Sequence, residues 1–342
     1  MNYLTEKAKK LTPYTAGMQP REQGWVKLNT NENPYPPSPR VAEVLQAANA
    51  EKLRLYPDTS SAALREAIAA KLNVKPENIF CGNGSDEVLA LAFQAFLSGK
   101  GNVLTPDISY GFYPVWGEMY GVGLKLMPLG DSFNVNPNDY ENSNGVVLAN
   151  PNAPTGHALP LSRIEKIIQN NANGVVIVDE AYVDFADCGS AASIATKYGN
   201  LLVVRTFSKS YSLAGLRVGY AVGSEELICG LDRVKNAFNS YPVNMFSQLC
   251  ATAAVNDEEY FNGRCKAIIE TRRWVENELR CTSSQANFIF WKVDNGKAMF
   301  DFLLKNKILV RHWDKPRISN YLRVTIGTPA EMEVFVQCAK KF

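Results

Sequence analysis

The chain has 342 residues, of which 46% are hydrophobic and 20% are charged, and its formal net charge is +2. This composition is typical of a globular protein and argues against a disordered, collagen-like or coiled-coil chain. The small net charge disfavours nonspecific nucleic-acid binding, and no apolar run reaches the roughly 20 residues of a membrane span. Seven scattered cysteines without a Cys-x-x-Cys pair predict reduced thiols in the cytoplasm, and two histidines are too few for a three-histidine zinc site, so no metal is predicted.

The first part of the chain predicts an arm followed by alternating helices and strands. Proline and asparagine are frequent in the first forty residues, which predicts an extended arm over residues 1–35. Apolar residues at helical spacing then predict helices over residues 39–50, 62–72, 86–96 and 161–169. Short apolar runs predict strands over residues 79–81, 102–104, 145–149, 174–178, 201–205 and 218–222. Such strands, separated by helices, are typical of a mainly parallel sheet covered on both faces, which we assign to a large domain of residues 36–240.

The pattern changes beyond residue 227. Long helical stretches continue to about residue 278, and strands are predicted over residues 287–292, 308–311 and 321–326, followed by a helix over 330–341. This order predicts a smaller α+β domain, which we assign to residues 241–342.

Polar residues that can support chemistry follow the predicted strands. Asp179 ends one strand, and a carboxylate there needs a cation nearby. The next strand leads into TFSK, which ends in Lys209, and the turn GNGSDE at 82–87 leads into a helix whose first N–H groups form an anion site. An anion cradle, an acid for a ring nitrogen, a phenol at Tyr182 and a reactive amine are together the set that pyridoxal phosphate needs.

These motifs resemble those of a known family. The segment SKSYSLAGLR at 208–217 and DEAY at 179–182 resemble the lysine and acid motifs of fold-type I aminotransferases, which depend on pyridoxal phosphate. KLNTNENP at 27–34, YPD at 56–58 and the late RHW and LRVTIG segments resemble the histidinol-phosphate aminotransferase branch. The resemblance runs from about residue 10 to the end of the chain, with its motifs in order. It implies a mainly parallel seven-stranded sheet covered by helices, with a smaller α+β domain and an N-terminal arm.

The resemblance also implies the role of each cofactor-binding residue. Lys209 is expected to carry pyridoxal 5′-phosphate as a Schiff base and to move the substrate proton. Asp179 is expected to keep the pyridine nitrogen protonated. Tyr182 is expected to hydrogen-bond the ring oxygen, and Tyr110 to stack on the ring. The remaining contacts, mainly to the phosphate, are expected from Gly84, Ser85, Asp86, Thr206, Ser208, Arg217 and, from a neighbouring subunit, Tyr56.

One loop departs from the family pattern. The segment NPNAPTG at 150–156 resembles the family's Asn-Pro-Thr-Gly loop, whose asparagine contacts the ring oxygen. Here that position is Ala153, so the contact is expected to be lost or to pass to Asn152. Since Tyr182 can still donate to the same oxygen, we do not interpret the change as inactivating.

The substrates implied are small anions. Arg311 and Arg323 are expected at the anionic end of the substrate, with Tyr14 and Asn33 from the arm, because guanidinium groups suit both carboxylates and phosphates. The resemblance implies a homodimer with shared sites that transfers the amino group of L-histidinol phosphate to 2-oxoglutarate.

Other functions stay open. A threonine-phosphate decarboxylase of cobamide synthesis and a broader aromatic aminotransferase would use the same cofactor, although the arm and the Arg311 region resemble the histidinol-phosphate branch more. A regulatory protein without turnover is disfavoured, because no basic helix-turn-helix segment precedes the core and Lys209 is present.

Overall fold

The computed structural model describes residues 3–13, 17–20 and 22–342. In these ranges the α-helices are α1 (Glu6–Lys10), α2 (Pro39–Gln46), α3 (Ala62–Leu72), α4 (Gly84–Ala92), α5 (Phe112–Tyr120), α6 (Leu161–Gln169), α7 (Glu225–Phe238), α8 (Met245–Val255), α9 (Glu258–Leu279), α10 (Gly296–Lys305) and α11 (Pro329–Ala339). The strands are β1 (Val26–Lys27), β2 (Ile79–Gly82), β3 (Val103–Pro106), β4 (Leu124–Met127), β5 (Gly145–Ala149), β6 (Val175–Asp179), β7 (Leu201–Thr206), β8 (Gly219–Gly223), β9 (Phe288–Lys292), β10 (Ile308–Leu309), β11 (Arg311–His312) and β12 (Tyr321–Thr325).

Seven strands form the central sheet in the order β2-β8-β7-β6-β5-β3-β4. Only β8 runs antiparallel to its neighbours, β7 and β2, so the sheet is mainly parallel as predicted. In such sheets the carboxyl ends of the parallel strands meet at one edge, where ligands bind.

Both faces of the sheet are buried, which explains why its strands read as continuous apolar runs. Val176 and Val178 of β6 face a cluster that also contains apolar residues of α2, α3, α6 and α8. Ile177, between them, faces a second cluster with residues of α4, α5 and α7. This alternation follows from the two-residue period of a strand.

A second, smaller sheet is antiparallel and has the order β11-β12-β9. A third apolar cluster fills the space between β9, β12, α9 and α11. The arm joins this part of the molecule through β1, which pairs in parallel with β10. The predicted domain boundary at residue 240 stays a prediction. Helix α8 lies beyond this boundary, yet its apolar residues pack with the first cluster, on the central sheet.

Several predicted elements have other bounds. The strand predicted over residues 308–311 is two strands in different sheets, because β10 pairs with the arm whereas β11 pairs with β12. Helix α2 ends at Gln46, before a short 3₁₀ segment at Ala50–Arg54, rather than at residue 50. Helices α5 and α10 and strand β4 were not predicted. Helix α5 contains Pro114 and Gly117, which are both poor helix formers. None of the described helices has the length and apolar character of a transmembrane segment.

Candidate active site

A cavity of about 220 Å³ lies at the carboxyl edge of the central sheet. Strand register explains why this edge is crowded with polar groups. Thr206 ends β7 opposite Gly219, and Gly219 in turn lies opposite Gly82, the last residue of β2. Asp179 ends β6 beside them, opposite Val204. The predicted site residues that line the cavity are Ser85, Asp86, Tyr110, Asp179, Tyr182, Thr206, Ser208, Lys209, Arg217, Arg311 and Arg323.

Lys209 projects its amine into the cavity from the loop after β7. Its Nζ donates a hydrogen bond to the carbonyl of Thr30, 3.2 Å away, in the arm. Burial, reinforced by the positive charge of Arg323, lowers the pKa of Lys209 to about 8. At pH 7, therefore, about a tenth of this amine is in the neutral, nucleophilic form, far more than for a lysine with the ordinary pKa of 10.5.

Asp179 is buried at the base of the cavity. Its carboxylate accepts hydrogen bonds from the Tyr113 hydroxyl at 2.9 Å and from the backbone N–H of Ala181 at 3.2 Å. Burial raises the pKa of Asp179 to about 6 although both hydrogen bonds favour the ionised form. A cationic ligand group beside this carboxylate would keep it ionised.

Tyr182 presents its hydroxyl next to the arm. The oxygen accepts a hydrogen bond from the Nδ2 group of Asn31 at 2.9 Å, and burial raises the pKa of the phenol. The phenol therefore stays protonated and keeps its own hydrogen to donate. Asn31 is buried, and its backbone N–H donates to the Thr325 hydroxyl at 2.9 Å. No role was predicted for Asn31, because a single asparagine in an irregular arm has no periodic signal.

The turn before α4 and Arg217 lie together at one end of the cavity. Gly84 has a φ of +84°, and a Cβ there would lie 2.5 Å from Nη2 of Arg217. A Cβ on Gly219 would lie 2.3 Å from the backbone nitrogen of Ser85. Glycine is therefore required at both positions, because only without side chains can the turn, β8 and Arg217 approach this closely. Arg217 also faces Asp86, with 3.3 Å between Nη2 and Oδ2, and Ser208, with 3.4 Å between Nη1 and Oγ.

Tyr110 closes one side of the cavity. Its hydroxyl donates to Oδ1 of Asp86 at 2.7 Å, and its ring lies edge-on to those of Tyr113 and Trp116. Burial and the Asp86 carboxylate raise the pKa of this phenol, so it stays neutral.

A buried ion network, which was not predicted from the sequence, holds the backbone next to Lys209. Arg205 forms an ion pair with Asp184 and lies 3.8 Å from Glu180. The second oxygen of Asp184 accepts a hydrogen bond from the Ser210 hydroxyl at 2.5 Å. Across the loop, Nδ2 of Asn33 donates to the carbonyl of Lys209 at 2.9 Å. The backbone around the lysine is thus held by the network on one side and by the arm on the other.

Arg311 and Arg323 form the cationic wall of the cavity. They are directly opposite in the β11–β12 register. Their guanidinium carbons lie 5.6 and 5.4 Å from the ring centre of Trp313. Arg323 also donates to the carbonyl of Asn29 at 2.8 Å. Two like charges directly opposite each other repel, so this pair favours an anion between or near them.

Two of the other predicted residues, Asn152 and Tyr56, do not line the cavity. Asn152 is held by its own loop and by the loop after β3, since its Nδ2 group donates to the Thr155 hydroxyl and the Ile108 carbonyl and its Oδ1 accepts from the Ser109 hydroxyl. It does not line the cavity. Ala153 does line it. Tyr56 is 81% exposed and stacks on Tyr241 away from the cavity. The expectation for Tyr14 lies outside the described residues.

Comparison with known proteins gives the family. The sequence model of the family "Aminotransferase class I and II" matches residues 23–338. The chain belongs to the class I and II aminotransferases. It is 48% identical to the histidinol-phosphate aminotransferase of Clostridium botulinum strain Okra, over 99% of this chain and 98% of the relative. It is 49% identical to histidinol-phosphate aminotransferase 1 of Hydrogenovibrio crunogenus, over 96% and 94% of the two chains.

A solved structure shares the fold. The histidinol-phosphate aminotransferase of Sinorhizobium meliloti, in complex with pyridoxal-5′-phosphate, superposes with a TM-score of 0.83 over 92% of this chain and 91% of the other, at 23% identity. The predictions of a fold-type I aminotransferase of the histidinol-phosphate branch, and of pyridoxal phosphate as its cofactor, are confirmed.

The residues in the cavity fit that cofactor. Lys209 offers an amine for its aldehyde, and Asp179 offers a buried carboxylate for a protonated ring nitrogen. The glycine turn before α4, with Arg217 beside it, offers N–H donors and positive charge for its phosphate. Binding of this cofactor would account for arrangements that cost stability in the protein alone, such as a buried acid or a turn that excludes a Cβ.

Proposed function

We propose that this chain transfers the amino group of L-histidinol phosphate to 2-oxoglutarate, giving imidazole acetol phosphate and L-glutamate, in histidine biosynthesis. The relatives that carry this name match the chain along nearly its full length. The observation that carries the proposal is the placement of Arg311 and Arg323 in the same cavity as Lys209. A cationic pair next to a reactive amine suits a substrate with an amino group at one end and a phosphate or carboxylate at the other.

Lys209 is the proton carrier in this proposal. Pyridoxal phosphate, when bound, supplies an electron sink for the pair released from the substrate's Cα–H bond. The neutral Nζ of Lys209 takes the Cα proton and returns it at the other end of the reacting system. A pKa near 8 suits this task, because the amine can both accept and release a proton near neutral pH.

Asp179 and Tyr182 set the charge of the ring. The ionised Asp179 would hold a proton on the pyridine nitrogen of the cofactor, which would strengthen the electron sink. Tyr182 would donate its phenolic hydrogen to the ring oxygen of the cofactor, because its own oxygen already accepts from Asn31. Tyr110 would cover one face of the cofactor ring, and Ser85, Asp86, Thr206, Ser208 and Arg217 would surround its phosphate.

Arg311 and Arg323 bind the anion of each substrate in turn. Histidinol phosphate presents a phosphate, and glutamate or 2-oxoglutarate presents a carboxylate. A guanidinium group can pair with either through two parallel hydrogen bonds. One pair of arginines therefore serves both halves of a ping-pong reaction.

We further propose a cytoplasmic homodimer with shared sites. Tyr56 is 81% exposed and stacks on Tyr241, and Leu53, Leu55 and Phe238 are also exposed. Large apolar side chains exposed in one region favour a protein partner. A second copy of this chain would bury them and bring its Tyr56 to the cofactor phosphate.

The test is a half-reaction on the protein loaded with pyridoxal phosphate. L-Histidinol phosphate alone is expected to abolish the visible absorbance of the bound cofactor, and 2-oxoglutarate is expected to restore it with one glutamate formed per site. Absorbance that does not respond to this amine contradicts the proposal. L-Threonine phosphate serves as the comparison, since release of carbon dioxide from it would establish the decarboxylase instead.

A further inference from the structure

Beside the cavity, Arg317 connects the small antiparallel sheet to the central sheet. Its Nη1 group donates to Oδ2 of Asp107 at 2.9 Å. Its Nη2 group donates to the carbonyls of Leu129 at 2.7 Å and of Gly130 at 3.1 Å. Its guanidinium carbon lies 5.6 Å from the ring centre of Phe133. Arg317 belongs to the β11–β12 connection, whereas its partners all belong to loops after β3 and β4 of the central sheet.

These contacts differ from those of an ordinary surface ion pair, which contributes little because its side chains move freely. One guanidinium group makes three hydrogen bonds to two loops, and a planar fork of donors can do this only in one orientation. Asp107 is itself fixed, since its other oxygen accepts from the backbone N–H of Leu129 at 3.0 Å. Arg317 also adopts a φ of +69°, a conformation that non-glycine residues rarely hold without a local reason.

Each end of this bridge leads directly to the cavity. Asp107 immediately precedes the segment that carries Tyr110, whose hydroxyl binds Asp86. On the other side, the β11–β12 connection begins with Trp313, which lies against both Arg311 and Arg323. A small apolar cluster packs between the two connected parts. Phe133 comes from the loop after β4, whereas Phe290 comes from β9 and Ile318 from the β11–β12 connection.

We propose that Arg317 is a positioning residue for substrate binding. By joining the β11–β12 connection to the Asp107 loop, it fixes the distance between the cationic wall of Arg311 and Arg323 and the part of the cavity that contains Tyr110 and Lys209. The inference rests on the proposed function, because it takes the two arginines as the site of the substrate anion. A misplacement of about 1 Å in such a wall weakens the binding of every substrate that uses it.

The experiment is a double-mutant cycle on the loaded enzyme, with Arg317→Ala, Asp107→Asn and the double variant. We expect KM for both the amine and 2-oxoglutarate to rise roughly tenfold in Arg317→Ala, with kcat within about threefold of wild type. Asp107→Asn, which keeps the side-chain shape, is expected to raise the same two KM values by a smaller factor. The double variant is expected to resemble Arg317→Ala rather than the product of the two effects, because the residues act through one contact.

Two measurements separate this role from general stabilisation. Arg40→Ala is the matched control, since Arg40 also donates to a carbonyl, that of Asn256, at 2.9 Å and faces Asp257, but does not line the cavity. It is expected to leave both KM values unchanged. The affinity of each variant for pyridoxal phosphate, measured by fluorescence titration of the cofactor-free protein, is expected to equal that of the wild type, because Arg317 does not line the cofactor end.

Unchanged KM values in both Arg317→Ala and Asp107→Asn would overturn the inference, as would a loss of kcat without a rise in KM. Failure of the proposed function gives a different result. In that case Arg323→Ala itself leaves KM for both substrates unchanged, so the wall does not bind the substrate anion at all. A large effect of Arg323→Ala without any effect of Arg317→Ala rejects only the positioning role.

Discussion

At the scale of single residues, burial changes the pKa values of Lys209 and Asp179 in opposite directions. The lysine amine loses hydration and lies near Arg323, so its neutral form is favoured and its pKa falls to about 8. The Asp179 carboxyl also loses hydration, so its neutral form is favoured and its pKa rises to about 6. Both changes bring the titrations close to neutral pH, which is typical of catalytic groups.

The shift at Lys209 predicts how fast the cofactor-free protein captures pyridoxal phosphate. Below pH 8 the amine is mostly protonated and unreactive, and as the pH rises through about 8 the neutral fraction increases. The capture rate, followed by absorbance after mixing, is therefore expected to rise with a midpoint near pH 8 and then level off. Lys209→Ala is the control and is expected to bind the cofactor only noncovalently, without transamination. A midpoint near the ordinary lysine value of 10.5 would contradict the effect of burial.

The shift at Asp179 predicts a change in stability. Its pKa is raised from 3.8 to about 6 in the folded protein, so the folded state binds the proton more tightly than the unfolded state. Stability from this group is present below about pH 4 and is lost as the pH rises to about 6. Asp179→Asn removes this loss, which is on the order of 3 kcal/mol at pH 7.

The measurement is urea unfolding of the cofactor-free protein at pH 5 and pH 7. The stability of Asp179→Asn relative to wild type is expected to increase between the two values. The exposed Asp294→Asn controls for the substitution itself, and its difference from wild type is expected to stay constant. An Asp179→Asn difference that is equally constant would mean that the carboxyl titrates below pH 5.

At the scale of elements, strand register places the functional groups. The pairs Thr206–Gly219 and Gly82–Gly219 bring the end of β7, the start of β8 and the end of β2 into one row. The sequence predicted these strands well, because strands buried on both faces are apolar throughout. It predicted Lys209, Asp179 and Tyr182 near one another for the same reason, since polar residues directly after such strands must meet at one edge.

Other elements carried weaker signals. Strand β4, with the sequence LKLM, lies at the edge of the sheet and is only partly buried, so it lacks a continuous apolar run. The ion network of Arg205 and Asp184 was missed because an arginine within an apolar strand gives no indication of its partner. The contacts of Arg317 depend on three loops that are distant in sequence, and no local pattern brings them together.

Gly219→Ala tests the close contact between β8 and α4. Its Cβ would lie 2.3 Å from the backbone nitrogen of Ser85, so the turn before α4 must move away from β8. We expect affinity for pyridoxal phosphate to fall at least tenfold, about 1.4 kcal/mol, while the protein remains folded. Gly215→Ala is the matched control, because its Cβ would meet nothing within 4 Å. Equal affinities for the two variants would show that the turn does not hold the phosphate.

At the scale of the whole molecule, the arm connects distant parts of the chain. Asn31 joins Tyr182 to β12 through Thr325, and Asn33 holds the backbone of Lys209. These contacts span from about 150 to almost 300 residues. The sequence predicted an extended arm from its prolines, but it could not predict the contacts, because side-chain amides bind any nearby donor or acceptor. Their effect is to make the cavity dependent on correct packing of the arm.

The proposed dimer predicts complementation between two inactive proteins. If Tyr56 completes the site of the other subunit, a hybrid of one Lys209→Ala and one Tyr56→Ala subunit has one site with both residues intact. Random exchange gives about half hybrid dimers with one working site of two, so about a quarter of wild-type activity is expected at limiting pyridoxal phosphate. The two proteins are mixed, exchanged in mild denaturant and assayed against each protein treated alone. Activity that stays at the level of the separate proteins, although exchange is shown by differently tagged subunits, means that each subunit builds its site alone. Recovered activity shows that the exposed Tyr56 surface exists to complete a neighbour's site, which explains why an aromatic ring there is left in solvent in a single chain.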